Sequence, residues 1–370
     1  MFAHTVTRRG MRKLTAFLGL IVLAAALFCY PDAVKTGAAR GMALCGTVIL
    51  PSLFPFMVIV GVFTRSAMAG AVSRVLARPM MTLFRLSGSA AVAVVAGLLG
   101  GYPAGSAAVR DLLSRGEITP KEGERLLHFA VNAGPAFAVS AVGAGMLGDT
   151  RRGWLLFAAS TLAAVCIGFA EARGVPKSAV RVMPPKSQPL SAAFTGAVDA
   201  ACGAMVSLCG YVILFAVVLA VADGSGATVL FNRLLALPMT ASGGRVSSSL
   251  PSFLPAILEV SSGCLELAGK VPPFVLAFFM CFGGVSVHCQ VKSLAPACTR
   301  HFFAYRLLHG MLGGVFAAVL FYVVPLSAPT ALPSETRLQL FTVSPLASLA
   351  CLCMCLAFLL QKRIDKSTQI

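Results

Sequence analysis

The chain has 370 residues, 58% of them hydrophobic and 12% charged, with a formal net charge of +17. Soluble domains average about 25% charged and 45–50% apolar residues, so this composition excludes a soluble fold and calls for an integral membrane protein. The basic residues sit in short clusters between apolar spans. That spacing argues against nucleic acid as a partner and fits the positive-inside orientation of membrane helices.

In chain order, Arg8, Arg9, Arg12 and Lys13 precede an apolar run over 14–28. A cleaved signal peptide and an uncleaved first span share this pattern. The small-x-small cleavage signal is weak near Cys29-Tyr30-Pro31, so an uncleaved span is expected. Full-length apolar spans are expected at about 14–30, 41–63, 122–148, 153–172, 200–222, 272–296, 302–325 and 339–361. Two further apolar regions, 88–113 and 248–269, are too short or too interrupted to cross alone. A crossing needs about 20 helical residues, whereas the ten of Ala90–Leu99 give about 15 Å of helix. Both regions therefore read as re-entrant hairpins.

Charge agrees with this count. With the N-terminus inside, eight crossings and two hairpins, only Lys35, Arg40, Arg151, Arg152, Arg233, Arg245, Lys270 and Arg337 lie outside, which leaves 22 of the 30 lysines and arginines inside. Arg306 is in that inside set. If either hairpin crossed fully, every later loop would change sides and the bias would largely cancel. The expected fold is all-α integral membrane, with about eight transmembrane helices and two re-entrant helical hairpins in two inverted repeats. Residues 1–40 form the first span and its loop, and 41–172 the first repeat, with hairpin 88–113. Residues 173–199 form a basic cytoplasmic linker, and 200–325 the second repeat, with hairpin 248–269. Residues 326–370 supply a loop, the last span and a basic tail. Both termini are then cytoplasmic, in a bacterial inner membrane. Residues 64–87, with Arg65, Arg74, Arg78 and Arg85 among apolar neighbours, suit an amphipathic helix on the inner surface.

The repeats share a device. Gly97-Leu98-Leu99-Gly100-Gly101-Tyr102-Pro103-Ala104-Gly105 is followed by Phe129-Ala130-Val131-Asn132-Ala133-Gly134-Pro135. Ala256-Ile257-Leu258-Glu259-Val260-Ser261-Ser262-Gly263 is followed by Phe278-Phe279-Met280-Cys281-Phe282-Gly283-Gly284. Gly101 aligns with Glu259, Gly105 with Gly263 and Gly134 with Gly283. Breaks at membrane depth are tolerated where they face protein or line a cavity, and in duplicated membrane proteins they tend to form the binding site.

Gly101-Tyr102-Pro103-Ala104-Gly105, Glu124-Arg125-Leu126-Leu127, Asn132-Ala133-Gly134-Pro135 and Phe282-Gly283-Gly284-Val285-Ser286-Val287-His288-Cys289-Gln290 resemble the YlbJ family of sporulation integral membrane proteins. That family falls in a nucleoside-recognition, or Gate-domain, group, which also holds the membrane parts of ferrous iron transporters and is related to concentrative nucleoside transporters. The resemblance covers about 41–325. It implies a transporter-like core, expression in the mother cell during sporulation and a contribution to spore cortex formation. Gly-Tyr-Pro stands where nucleoside carriers of this kind place hydrogen-bonding side chains.

Glu259 is the sharpest candidate, because a carboxylate near mid-membrane costs about 2.5–3.5 kcal/mol on insertion scales and calls for a cavity, a cation or a proton. If the break opens a half-helix, the N–H groups of Ser261 and Ser262 face the same point. The other reading puts Glu259 at the outer surface, and Glu266 is expected at the outer rim. Asn132 either satisfies backbone freed by Pro135 or binds a ligand. His288 is a proton relay or a packed neutral histidine, Gln290 follows it on the same element, and Tyr102 is a gate or an aromatic plug. Gly101, Pro103, Gly105, Gly134, Pro135, Gly263, Gly283 and Gly284 are expected at the hinges. Glu117, Glu122, Glu124 and Arg125 read as a solvated turn and first helical turn, with Thr119-Pro120 and Glu122 starting a helix.

No catalytic constellation, metal site or cofactor is expected. The twelve cysteines, with no C-x-x-C pair, and the fourteen scattered methionines read as core packing. Cys351, Cys353 and Cys355 alternate and share no helix face. The expected function is a carrier or gated pore that moves a small polar solute or ion through a midplane site. A non-transporting scaffold for sporulation partners and a metal-ion conduit are the alternatives. The lipid bilayer and the solute are the expected partners, and homo-oligomerisation is left open.

Overall fold

A computed structural model describes residues 2–175, 188–241 and 251–324. The expected last span at 339–361 and its cysteines, residues 176–187 of the linker, and the first residues of hairpin 248–269 lie outside them. All regular elements among the described residues are helical. Six are long and apolar enough to cross a membrane: Pro31–Arg65, Ala90–Ser114, Thr150–Ala172, Leu190–Gly224, Pro273–Leu294 and Phe302–Val323.

Length alone misleads for Ala90–Ser114. Gly101 sits at φ 82°, ψ −167° inside it, a region open to glycine and strained for other residues. A Cβ built on Gly97 would lie 3.4 Å from the Gly105 Cα, whereas residues eight apart in a straight helix are about 12 Å apart. The segment therefore folds back on itself as a helical hairpin. The second hairpin has the same form, with Leu254–Leu258 and Val260–Leu267 as its arms. A Cβ on Gly263 would come within 2.2 Å of the Ala256 Cα, which brings residues seven apart into contact.

Each hairpin is followed by a broken helix. Pro120–Ala130 ends at Val131, and the chain runs without regular structure to Gly134 before Ala136–Met146. The expected single span at 122–148 is thus two pieces. Its start is the capping box read in the sequence: the Thr119 hydroxyl accepts from the Glu122 N–H, and the Glu122 carboxylate accepts from the Thr119 N–H. This turn is not solvated, however. Glu117 and Glu122 are 2% and 8% exposed. The second oxygen of Glu122 accepts from the Ser87 N–H at 3.0 Å, and Arg115 pairs with Glu117 at 3.2 Å. Arg125 donates to the carbonyls of Phe84 and Arg85, which end the amphipathic stretch after Ala67–Val75. The four charges tie surface segments together because each finds a backbone or ionic partner there. In the second half, Pro273–Phe282 stops at Gly283 and Gly284, both at positive φ, and Gly284–Leu294 resumes.

Pro31–Arg65 and Leu190–Gly224 are 35 residues each, about 52 Å of helix against a hydrocarbon core of about 30 Å. They lie antiparallel: Gly37 meets Val217, Gly41 meets Ile213, and Gly61 meets Ala197. The main core cluster lies between the hairpins, the broken helices, Thr150–Ala172 and Phe302–Val323.

The tightest approach is at Gly97, where a Cβ would lie 1.7 Å from the Ala130 carbonyl oxygen; Gly105 faces the same oxygen at 2.2 Å. A Gly97→Ala variant is expected to lose about 1–3 kcal/mol and to melt earlier in detergent. At Gly210 nothing lies within 4 Å of an added Cβ, so Gly210→Ala is expected to hold or raise the melting temperature.

Candidate functional site

The four breaks meet in pairs. A Cβ on Gly134 would lie 2.8 Å from the Gly101 nitrogen, so the first broken helix crosses the tip of the first hairpin. A Cβ on Gly284 would lie 3.1 Å from the Glu259 nitrogen, so the second broken helix crosses the tip of the second. Between the two crossings is a cavity of about 30 Å³, room for one water. Gly101, Tyr102 and Pro103 line it from one hairpin and Glu259, Val260 and Ser261 from the other; Gly134, Phe137, Val287 and Gln290 add the broken helices.

Glu259 is 1% exposed. It is the N-cap of Val260–Leu267, and its carboxylate accepts from the N–H groups of Ser261 at 2.9 Å and Ser262 at 2.6 Å. The outer-surface reading is thereby corrected, because the side chain turns inward onto its own helix end. An anion at a helix N-terminus is stabilised by the partial positive charge there and by charge-assisted hydrogen bonds. Gln290, 5% exposed, also faces the cavity, and its Oε1 has no hydrogen-bond partner among the described residues. Tyr102 lines the cavity with its ring side, while its hydroxyl donates to the Met280 carbonyl.

Other residues singled out by sequence sit elsewhere. Ser262 contributes its N–H, not a cavity wall. The Asn132 amide nitrogen donates to the Phe129 carbonyl at 2.8 Å, so the side chain satisfies backbone freed at the break. His288 donates from Nδ1 to the Gly284 carbonyl at 2.9 Å and sits among Phe282, Phe302 and Phe303. Glu266 pairs with Lys270 on an exposed turn. Gly105 and Gly263 hold the hairpin arms together, and Pro135 starts the helix beyond the first break. A larger cavity of about 360 Å³ opens between Pro31–Arg65 and Ala136–Met146, lined by Thr47, Ser52, Phe56 and Ser140 among others, and none of these candidates reaches it. Among the described residues no three His, Cys, Asp or Glu side chains come together.

Sequence reasoning missed Arg306. It was counted with the inner-surface charges, yet it is 0% exposed. Its Nε donates to the Phe282 carbonyl at 3.2 Å and its Nη1 to the Val131 carbonyl, which lie at the C-terminal ends of the two broken helices. Arginine has only donors, so the 2.9 Å contact from Nη1 makes His309 Nδ1 the acceptor. The histidine proton is then on Nε2, which donates to the Ser160 carbonyl at 2.9 Å. The sequence signal is Arg306-x-x-His309-Gly310-x-x-Gly313-Gly314, a polar pair three apart on an otherwise apolar helix with a small-residue stripe. Gly310 and Gly314 let Phe302–Val323 approach the Phe278 and Phe274 carbonyls closely.

No family model and no solved structure matches the chain. Among curated proteins, it is similar to the sporulation integral membrane protein YlbJ of Bacillus subtilis, 25% identical over 335 residues, a match covering 81% of this chain and 80% of that one. The likeness runs through four fifths of each chain rather than one shared segment, and that relative's name describes an integral membrane protein, as the six long apolar helices here do.

Proposed function

We propose that this chain is a transporter-like or gated-pore protein of the bacterial inner membrane, acting in sporulation at the stage of spore cortex formation. It moves a small polar solute or ion through the cavity between the two hairpin tips. The observation that carries this reading is that one small cavity is lined from both tips and counts among its lining residues a buried Glu259 and a Gln290 whose amide oxygen has no partner among the described residues. The order of hairpin and broken helix recurs in both halves, and the 35-residue helices that precede them are antiparallel. Both features support two inverted repeats of the Gate type, with access alternating as one hairpin opens at a time.

A scaffold without transport is favoured by a different observation. The cavity admits one water, and the only polar side chain at the first tip, Tyr102, has its hydroxyl committed to Met280. Flux separates the two. Proteoliposomes loaded with sodium, potassium and a mixture of small polar metabolites are expected to release at least one species faster than protein-free vesicles, and Glu259→Gln is expected to abolish the difference. Equal leak of every species with and without protein would leave the scaffold. In cells, Glu259→Gln is expected to accumulate normally yet fail to restore sporulation to a strain lacking this chain.

Sidedness tests the repeats. Arg78 and Lys121 flank the first hairpin, Ser225 and Lys270 the second, and all four are exposed. Single cysteines at the first two are expected to react with a membrane-impermeant thiol reagent from the cytoplasmic face only, and at the second two from the outer face only.

A further inference from the structure

We propose that Arg306 is a positioning residue that locks the two halves together, so that the hairpin tips move as a coupled pair; this rests on the carrier reading above. One guanidinium holds one carbonyl from each half, Val131 and Phe282. These are the residues at which the two broken helices stop, and each break crosses its own hairpin tip, at Gly101 and at Glu259. A shift of either tip therefore reaches Arg306 through a single intervening contact.

Two further ties converge on the same group. Arg306 lies 5.6 Å from the centroid of the Tyr102 ring, and the Tyr102 hydroxyl donates to Met280, two residues before Phe282. The first tip is thus bound directly to the second half. His309 fixes the other edge of the guanidinium and is itself anchored on Ser160 of Thr150–Ala172. No carboxylate is among the hydrogen-bond partners of Arg306. Its Nη2 has no partner among the described residues, and neither does Oδ1 of Asn132, the residue after Val131. A buried donor and a buried acceptor unmatched beside an existing contact give the lock a second position to move into when the break rearranges.

Lysine keeps the charge of Arg306 but is a point donor and cannot fork between two carbonyls. Hydrogen–deuterium exchange of the full chain in detergent tests the lock. Arg306→Lys is expected to raise exchange about tenfold at both 97–105 and 256–263, while 190–224 stays as in the wild type. A rise confined to one half, or a uniform rise across all helices, would overturn the coupling and leave a local or general packing role. Should Arg306→Lys fail to accumulate, Tyr102→Phe is the second variant: a rise of about threefold at both 97–105 and 278–284 is expected, and no change at either overturns the proposal. Exchange is read without any solute, so a failure here is separable from a failure of the flux test.

Discussion

Everything in this molecule answers to unpaired backbone at four helix breaks inside an apolar interior. Lipid offers such groups no hydrogen bonds, and each orphan costs kilocalories. Two buried charges meet that demand, each matched in sign to the ends it serves. Arg306 lies against the C-terminal ends of both broken helices, and Glu259 against the N-terminal end of the second hairpin's outgoing arm. A helix end carries about half a unit charge, so two C-terminal ends offset about one guanidinium. Arg306 can therefore be fully buried without a carboxylate partner, where an unassisted cation would be expelled to the interface.

The close approaches follow from the same demand. If breaks are to cover one another, their backbones must meet without side chains between them. Gly97 and Gly105 clamp the Ala130 carbonyl, Gly134 lies on Gly101, and Gly284 lies on Glu259. A chain with any side chain at Gly97 would have to separate the hairpin from the broken helix and leave both ends uncovered. Glycine thus lets two polar defects become one packed crossing.

The hairpins were legible in the sequence because their evidence is local: a ten-residue apolar run cannot span, and a Gly-Tyr-Pro or Glu-Val-Ser-Ser interruption marks where it turns. Glu259 was legible because a carboxylate amid apolar residues has few explanations. Arg306 was not legible, because an arginine five residues into an apolar helix looks the same whether it reaches back to the surface or inward. Its partners, the Val131 and Phe282 carbonyls, leave no trace in residue identity. Glu117 and Glu122 failed for the same reason: a polar turn reads as solvated until its partners are placed, and here they are Arg115 for Glu117 and the loop at Ser87 for Glu122. Asn132 and His288 lie near the breaks, and each side chain turns back to its own backbone.

The two hairpin tips solve their common problem differently. The second tip leaves N–H groups at 261 and 262 and supplies a carboxylate to accept them. The first tip has proline at 103, which removes one N–H from the start of its outgoing arm, and its aromatic hydroxyl reaches across to the other half. The second tip therefore brings to the cavity a carboxylate capped by its own helix end, and the first brings glycine, an aromatic ring and proline, although the order of elements around the two tips is the same.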